Sequence, residues 1–349
     1  MRHSRQTIVL CGVVTLVVGL CSSVCRADSR DPSSFVVKTY VTEGGQSYFA
    51  TAFRGSELGT SVQRHVIVVD TSASQVGRIR ESFLKIAEGV LQNLPVTSTV
   101  SLFAADITCD SLTDGFVAPN SPEARKGLAS LSHRTPLGST NLRTVLKTVA
   151  AASRAGEALS VLYIGDGLTT ANLISPEQIN QFADQSCANR LQFHSIVLGP
   201  KTDLELPGIL ANLTGGTIRR LEGGTEAEVS VAAASSLQSE PVQITEISAG
   251  SPNVRFAAPR ISWLRSDRDT VYFGEGTSEQ LTGLTVKLNN GQSVSWKNSV
   301  SEAGGAEIFH LAARAMRTHG TDVPVAGLDV LEVMHYEFAD SVRKSIAAS

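Results

Sequence analysis

Cysteine is scarce in this chain, and its placement removes two architectures at once. Five cysteines occur in 349 residues, and Cys11, Cys21 and Cys25 all fall within residues 1–27. Beyond that point only Cys109 and Cys187 remain, too few to staple a fold with disulfides. There is no Cys-x-x-Cys and no Cys/His grouping with zinc spacing, which excludes a thiolate zinc site. A surplus of one charge is missing too. The formal net charge is −3 and no block of like charge stands out, so neither nucleic acid nor an anionic membrane surface is implied as a partner. No Gly-x-Ser-x-Gly elbow or Walker-type loop occurs, leaving serine-hydrolase and P-loop chemistry without support. The sequence contains no internal repeat and no long low-complexity tract.

The one apolar run of note is short. Arg2, His3 and Arg5 precede an uncharged stretch from Ile8 to Leu20, followed by Cys21-Ser22-Ser23 and a small-x-Ala site at Cys25-Arg26-Ala27. That is the layout of a secretory signal peptide, and the run is too short for a comfortable membrane span. A secreted, periplasmic or cell-surface protein is expected; an uncleaved N-terminal anchor, the alternative that Arg26 leaves open, is the only membrane attachment implied. Bulky Leu20 and Val24 before the cysteines argue against a lipoprotein signal.

The rest has an ordinary globular composition, 42% hydrophobic and 18% charged, with enough length for two domains. Residues 28–62 carry two β-rich stretches around Glu43-Gly44-Gly45, read as a hairpin. From 63 to 223 strands and helices alternate. Val66–Val69 is a continuous apolar run and Leu159–Ile164 a buried-type strand, as expected of parallel strands covered on both faces. Ile79, Phe83, Ile86, Ala87, Val90 and Leu94 mark one face of a helix. Ser121-Pro122-Glu123 and Ser175-Pro176-Glu177-Gln178 are helix starts. Residues 224–300 break into short β-like runs with a hairpin signal at Asn289-Asn290-Gly291, a β-sandwich-like region, and 301–349 read as helical, with Ala303–Thr318 and Leu328–Ser345. The two β regions flank the α/β segment, and a lone hairpin is marginal, so they are expected to form one sandwich with the α/β domain inserted.

In open α/β sheets ligands bind beyond the carboxyl ends of the strands, and three polar loops fall there. The first strand of the α/β segment ends in Asp70-Thr71-Ser72-Ala73-Ser74, the loop before the helix at Leu142 is Gly138-Ser139-Thr140-Asn141, and a later strand ends in Gly165-Asp166-Gly167. Together Asp70, Ser72, Ser74, Thr140 and Asp166 offer two carboxylates and three hydroxyls. An oxygen-only set suits a hard dication, Mg²⁺ or else Mn²⁺ or Ca²⁺. Two carboxylates balance its charge and leave it electrophilic enough to take an outside carboxylate, which is adhesive rather than hydrolytic chemistry. Each motif alone has a bland reading: Ser72, Ser74 or Thr140 as a helix cap, Asp166-Gly167 as a turn.

Taken together, these three loops resemble the metal-ion-dependent adhesion site of von Willebrand factor type A domains, in order and spacing, over about residues 64–222. The resemblance implies a Rossmann-like, doubly wound, mostly parallel six-stranded sheet with one antiparallel edge strand. It also implies that Ser72 and Ser74 bind metal directly, and that Thr140, Asp70 and Asp166 bind directly or through water. Gly165 departs from the family, many of whose members have Thr there. The function expected is a non-enzymatic, cation-dependent adhesion or scaffold module whose protein partner presents a carboxylate. Rival readings are an assembly protein without a functional metal and a metal-assisted hydrolase using Asp70 or Asp166 as base. Among other residues, His194 is expected to be packed, His65 and His133 to lie at the surface, and Trp263 and Trp296 to sit in the β core. Cys109 and Cys187 are expected as separate, mostly buried thiols at opposite ends of the sheet. Asn212-Leu213-Thr214 is a glycosylation sequon.

Overall fold

The computed structural model describes residues 33–56, 61–221, 224–257 and 259–319. The N-terminal leader and the helix expected at Leu328–Ser345 lie outside the described residues. Strands β1 (Ser34–Val41) and β2 (Ser47–Phe53) form the opening hairpin, and β3 (Arg64–Asp70) begins the α/β unit. That unit continues through α1 (Arg78–Asn93), β4 (Thr99–Ala105), β5 (Cys109–Ser111), α2 (Pro122–His133), α3 (Leu142–Ala152), β6 (Leu159–Gly165), α4 (Pro176–Ala188), β7 (Leu191–Val197), α5 (Glu205–Thr214), β8 (Ile218–Arg220) and α6 (Glu226–Gln238). There follow β9 (Val242–Ala249), β10 (Arg255–Phe256), β11 (Trp263–Leu264), β12 (Thr270–Glu275), β13 (Leu284–Leu288), β14 (Ser293–Trp296), β15 (Asn298–Ala303) and α7 (Ala306–Thr318).

The central sheet has the order β5-β4-β3-β6-β7-β8. All its pairings are parallel except β4 with β5. Alternate residues of each strand feed two cores. Val66, Val68, Val161 and Phe193 pack with α3, α4 and α5 on one face, while Ile67, Val69, Leu162 and Ile196 pack with α1, α2 and α6 on the other. Continuous apolar strands follow from this double coverage. Ser121 caps α2 by accepting the Ala124 N–H at 3.1 Å, and Ser175 with Gln178 forms the capping box of α4. Helix α6 has no counterpart in the sequence reading. Its inner face is Val229, Ala233, Ala234 and Leu237, residues small enough that α1 and α6 touch where a Cβ on Gly89 would come within 2.6 Å of Ser230 Oγ.

The remaining strands make two sheets, β10-β12-β2-β1-β15 and β11-β9-β13-β14. Phe35, Val37, Phe49 and Phe53 from one meet Ile244, Leu284, Val286, Leu288 and Trp296 from the other. The opening hairpin thus joins strands that follow the α/β unit, with β2 antiparallel to β12 and β1 parallel to β15. On the outer face of the first sheet, Val36, Ala50, Ala52, Val271 and Phe273 are covered by Ile308, Ala312 and Ala315 of α7. Among the described residues no helix is long and apolar enough to cross a membrane.

A buried arginine joins the two units. Arg265, in the β11–β12 connection, spends all five N–H groups: on Gln192 Oε1, Gly215 O, Ser236 O and both oxygens of Asp267, at 2.6–2.9 Å. Burial raises the Asp267 carboxyl, but the hydrogen bonds and charge of Arg265 outweigh it and hold Asp267 well below the usual range. Trp263 corrects an expectation. Only Trp296 belongs to the sandwich core; Trp263 packs into the α/β core and donates its Nε1–H to Leu213 O at 2.9 Å.

Two further expectations change. His65 is fully buried, against the surface position expected, because β3 is central and covered on both sides. Cys109 and Cys187 are separate free thiols, but half-buried rather than mostly buried, and Cys187 lies on α4, not on the sheet. The sequon is closed off as well, since Asn212 and Thr214 are buried in α5.

Breaking the Arg265 junction leaves Asp267 without its partner, so Arg265→Met is expected to cost about 3–5 kcal/mol, read by urea unfolding; a cost within experimental error would contradict the junction. Burial lowers His65 to about 4, and burial first, then the Arg265 charge, pushes His194 well below its ordinary value. The unfolded chain therefore takes up protons below about pH 6.5 that the native state refuses. Stability is full above that pH and is lost as pH falls toward 4, with a slope of about 1.4 kcal/mol per pH unit from each histidine. His65→Gln should remove one proton from that slope in pH-dependent denaturation.

Candidate metal centre

Strands β3 and β6 pair in parallel with Val69 opposite Ile164, so Asp70, the last residue of β3, and Asp166, the residue that follows β6, emerge side by side at the carboxyl edge of the sheet. Both are almost fully buried. The Ser72 N–H donates to Asp70 Oδ1 at 2.8 Å, and the Leu168 N–H donates to Asp166 Oδ1 at 3.0 Å. Each carboxylate is thus fixed by the turn that follows it. Ser72 Oγ and Ser74 Oγ lie 3.0 Å apart, and the Ser74 hydroxyl donates to Asp166 Oδ2 at 2.9 Å. From the third loop the Thr140 hydroxyl donates to Asp70 Oδ2 at 2.9 Å. The structure therefore brings all five residues singled out from sequence into one hydrogen-bonded cluster.

Backbone bonds hold the loops together. Ala73 N–H donates to Gly138 O and Leu137 N–H to Thr71 O. Asn141 N–H donates to Asp106 O, and Thr140 O receives the N–H groups of Thr170 and Ala171. The capping alternative does not describe these hydroxyls: α1 has Gly77 at its start with no side-chain cap, and α3 is capped by Asn141. Asp166 does take part in a turn, alongside its place in the cluster.

Two members escaped the sequence reading. Tyr163, wholly buried, donates its hydroxyl to Asp70 Oδ2 at 2.9 Å. Gln75, also buried, donates through Nε2 to Asp166 Oδ2 at 2.8 Å and to Ser74 Oγ at 3.0 Å. Period-two alternation puts Tyr163 and Gly165 on the same face as Asp70, a signal that was available; Gln75 looked like any loop residue. His194 is buried against Thr217, and exposed His133 bonds Ala129 O; neither touches the cluster.

The electrostatics are one-sided. Neither Asp70 nor Asp166 has an ion-pair partner among the described residues, the adjacent Arg134 being engaged by Asp106 and Asp110. Burial raises the Asp70 carboxyl above its ordinary value and the Asp166 charge adds to this, while hydrogen bonds from Ser72 and Thr140 pull the other way. The Tyr163 hydroxyl is raised strongly by burial and then by the two carboxylates, so it stays a neutral donor. Hydroxyl protons of Ser74, Thr140 and Tyr163 all point at carboxylates, and Ser74 Oγ accepts from Gln75 and Ser72, which leaves lone pairs on Thr140 Oγ1 and Ser72 Oγ for another partner. Gln75 Oε1 is buried and has no hydrogen-bond partner. Among the described residues no group of three or more His, Cys, Asp or Glu side chains comes together. Two carboxylates and several hydroxyl oxygens fit a hard divalent cation and poorly fit a soft one.

Residues 63–219 match the family model of the von Willebrand factor type A domain. The six-stranded, doubly wound unit has the type A fold, and domains of this kind in general mediate protein interactions. A solved von Willebrand factor type A protein from Catenulispora acidiphila is similar at 12% identity and a TM-score of 0.49, covering 80% of this chain and 75% of that one. The ArnB paralog VWA2 from Sulfolobus acidocaldarius is similar at 13% identity and a TM-score of 0.47, covering 81% and 80%. No curated protein matches the chain.

Because the folded type A domain disfavours the charged form of Asp70, that carboxylate subtracts from stability as pH rises above its unfolded value. Asp70→Asn should raise the melting temperature by a few degrees in EDTA at pH 7; a lower melting temperature would contradict the repulsion.

Proposed function

We propose that the type A domain is a cation-dependent protein-binding module, of adhesion or scaffold type and without enzymatic activity, in an exported protein. Asp70, Ser72, Ser74, Thr140 and Asp166 would hold Mg²⁺, or Mn²⁺ or Ca²⁺ in its place. Bound there, the cation supplies an electrophilic point for a carboxylate of the partner. The observation that carries this reading is a pair of buried carboxylates, unmatched by any cationic side chain among the described residues and ringed by hydroxyl oxygens. A buried charge is costly unless it is compensated.

The surroundings suit a protein partner. Val76, Ile107, Leu137 and Leu173 are exposed by 56–87%, and each stands on a loop at the carboxyl edge of the sheet, beside the cluster. Apolar side chains around a polar centre are the composition of a protein interface. The basic and apolar leader at residues 1–27 supports export.

The test is thermal unfolding in EDTA and in rising Mg²⁺, Mn²⁺ or Ca²⁺. A cation that binds only the folded state stabilises it by about 2.7 kcal/mol at one hundred times its dissociation constant. Wild-type protein is expected to respond and Thr140→Ala to respond far less; indifference to all three cations would overturn the metal. With cation present, surface-bound peptides bearing Asp or Glu should capture the protein and their Asn or Gln counterparts should not. Equal capture of both sets would overturn the carboxylate partner.

A further inference from the structure

Asp70 Oδ2 accepts two hydrogen bonds, from Thr140 and from Tyr163, each at 2.9 Å. The second is unusual in origin. Tyr163 is a core residue of β6, stacked on Phe193 at 6.4 Å between ring centroids, and it reaches the cluster only by running along its own strand over residue 165. A Cβ on residue 165 would sit 2.2 Å from the Tyr163 hydroxyl and 2.3 Å from its Cζ. No side chain larger than hydrogen fits there while the hydroxyl keeps its bond to Asp70. Gly165, the point at which this sequence departs from the family it resembles, is the space through which Tyr163 works.

We propose that Tyr163 is a positioning residue for the cation site, with Gly165 as its enabling partner. Its hydroxyl fills the remaining acceptor position on Asp70 Oδ2, while Ser72 N–H holds Oδ1 at 2.8 Å. Asp70 is thereby committed to a supporting role behind Thr140. The Thr140 proton stays turned toward the carboxylate, and the Thr140 lone pairs stay turned away from it. Outer hydrogen bonds of this kind orient metal ligands and set affinity, typically by a factor of ten to one hundred. This inference rests on the cation reading above.

The experiment is Mn²⁺ titration of the whole chain, followed by electron paramagnetic resonance, with melting temperatures recorded in EDTA. Tyr163→Phe keeps the ring and removes the hydroxyl, and is expected to weaken Mn²⁺ about tenfold or more. Gly165→Ala keeps the hydroxyl but displaces it, and should weaken Mn²⁺ to a similar extent. In the double variant the two affinity losses should not add, because both remove one hydrogen bond; two unrelated packing defects would add. Wild-type affinity in Tyr163→Phe, or additive losses in the double variant, overturns the role of Tyr163. Should Gly165→Ala not fold, Tyr163→Phe alone decides the matter by its affinity. Failure of the wild-type protein to bind Mn²⁺ sinks the cation reading instead, and the two failures are told apart by that control.

Discussion

Two like charges held side by side, with no cationic side chain paired to them among the described residues, are the constraint around which the type A domain is organised. Parallel register between β3 and β6 sets Asp70 and Asp166 at neighbouring strand ends, and burial keeps water from screening them. Every local feature answers that situation. Turn N–H groups, two hydroxyls, a tyrosine and a glutamine amide are aimed at the four carboxylate oxygens. Hydrogen bonds stabilise such charges but do not cancel them. A dication bound among the same oxygens would.

The sandwich contributes placement rather than chemistry. It grips the sheet at the end opposite the cluster, where Trp263 and Arg265 hold the last turn of α5 and the loop that follows. Inserting one domain into another joins both ends of the insert to the same body, and Arg314 of α7 adds an ion pair to Glu205 at the start of α5, at 2.7 Å. The loops bearing the cluster are cross-linked by backbone bonds, which leaves little rearrangement to be made on binding.

What sequence disclosed depended on whether a residue's partners are near in the chain. Strand-end carboxylates, the capping boxes at Ser175 and Thr225, and the long buried strands follow local rules, and the α/β fold was legible from them; only Thr225 went unnoticed, together with the helix it starts. Helix α6 was hidden because Ala and Ser carry little contrast between faces. Pairing of β1 with β15 joins segments more than 250 residues apart, and no local pattern announces it. Tyr163 falls within an apolar buried-type strand, and no local pattern marks Arg265. Their roles exist only once distant carbonyls and carboxylates have been brought to them.

The most direct measurement is anomalous diffraction from crystals grown with Mn²⁺. One strong peak is expected among the oxygens of Ser72, Ser74, Thr140, Asp70 and Asp166, lost on chelation. Density showing the cluster closed on itself in saturating Mn²⁺, with no peak there, would contradict it.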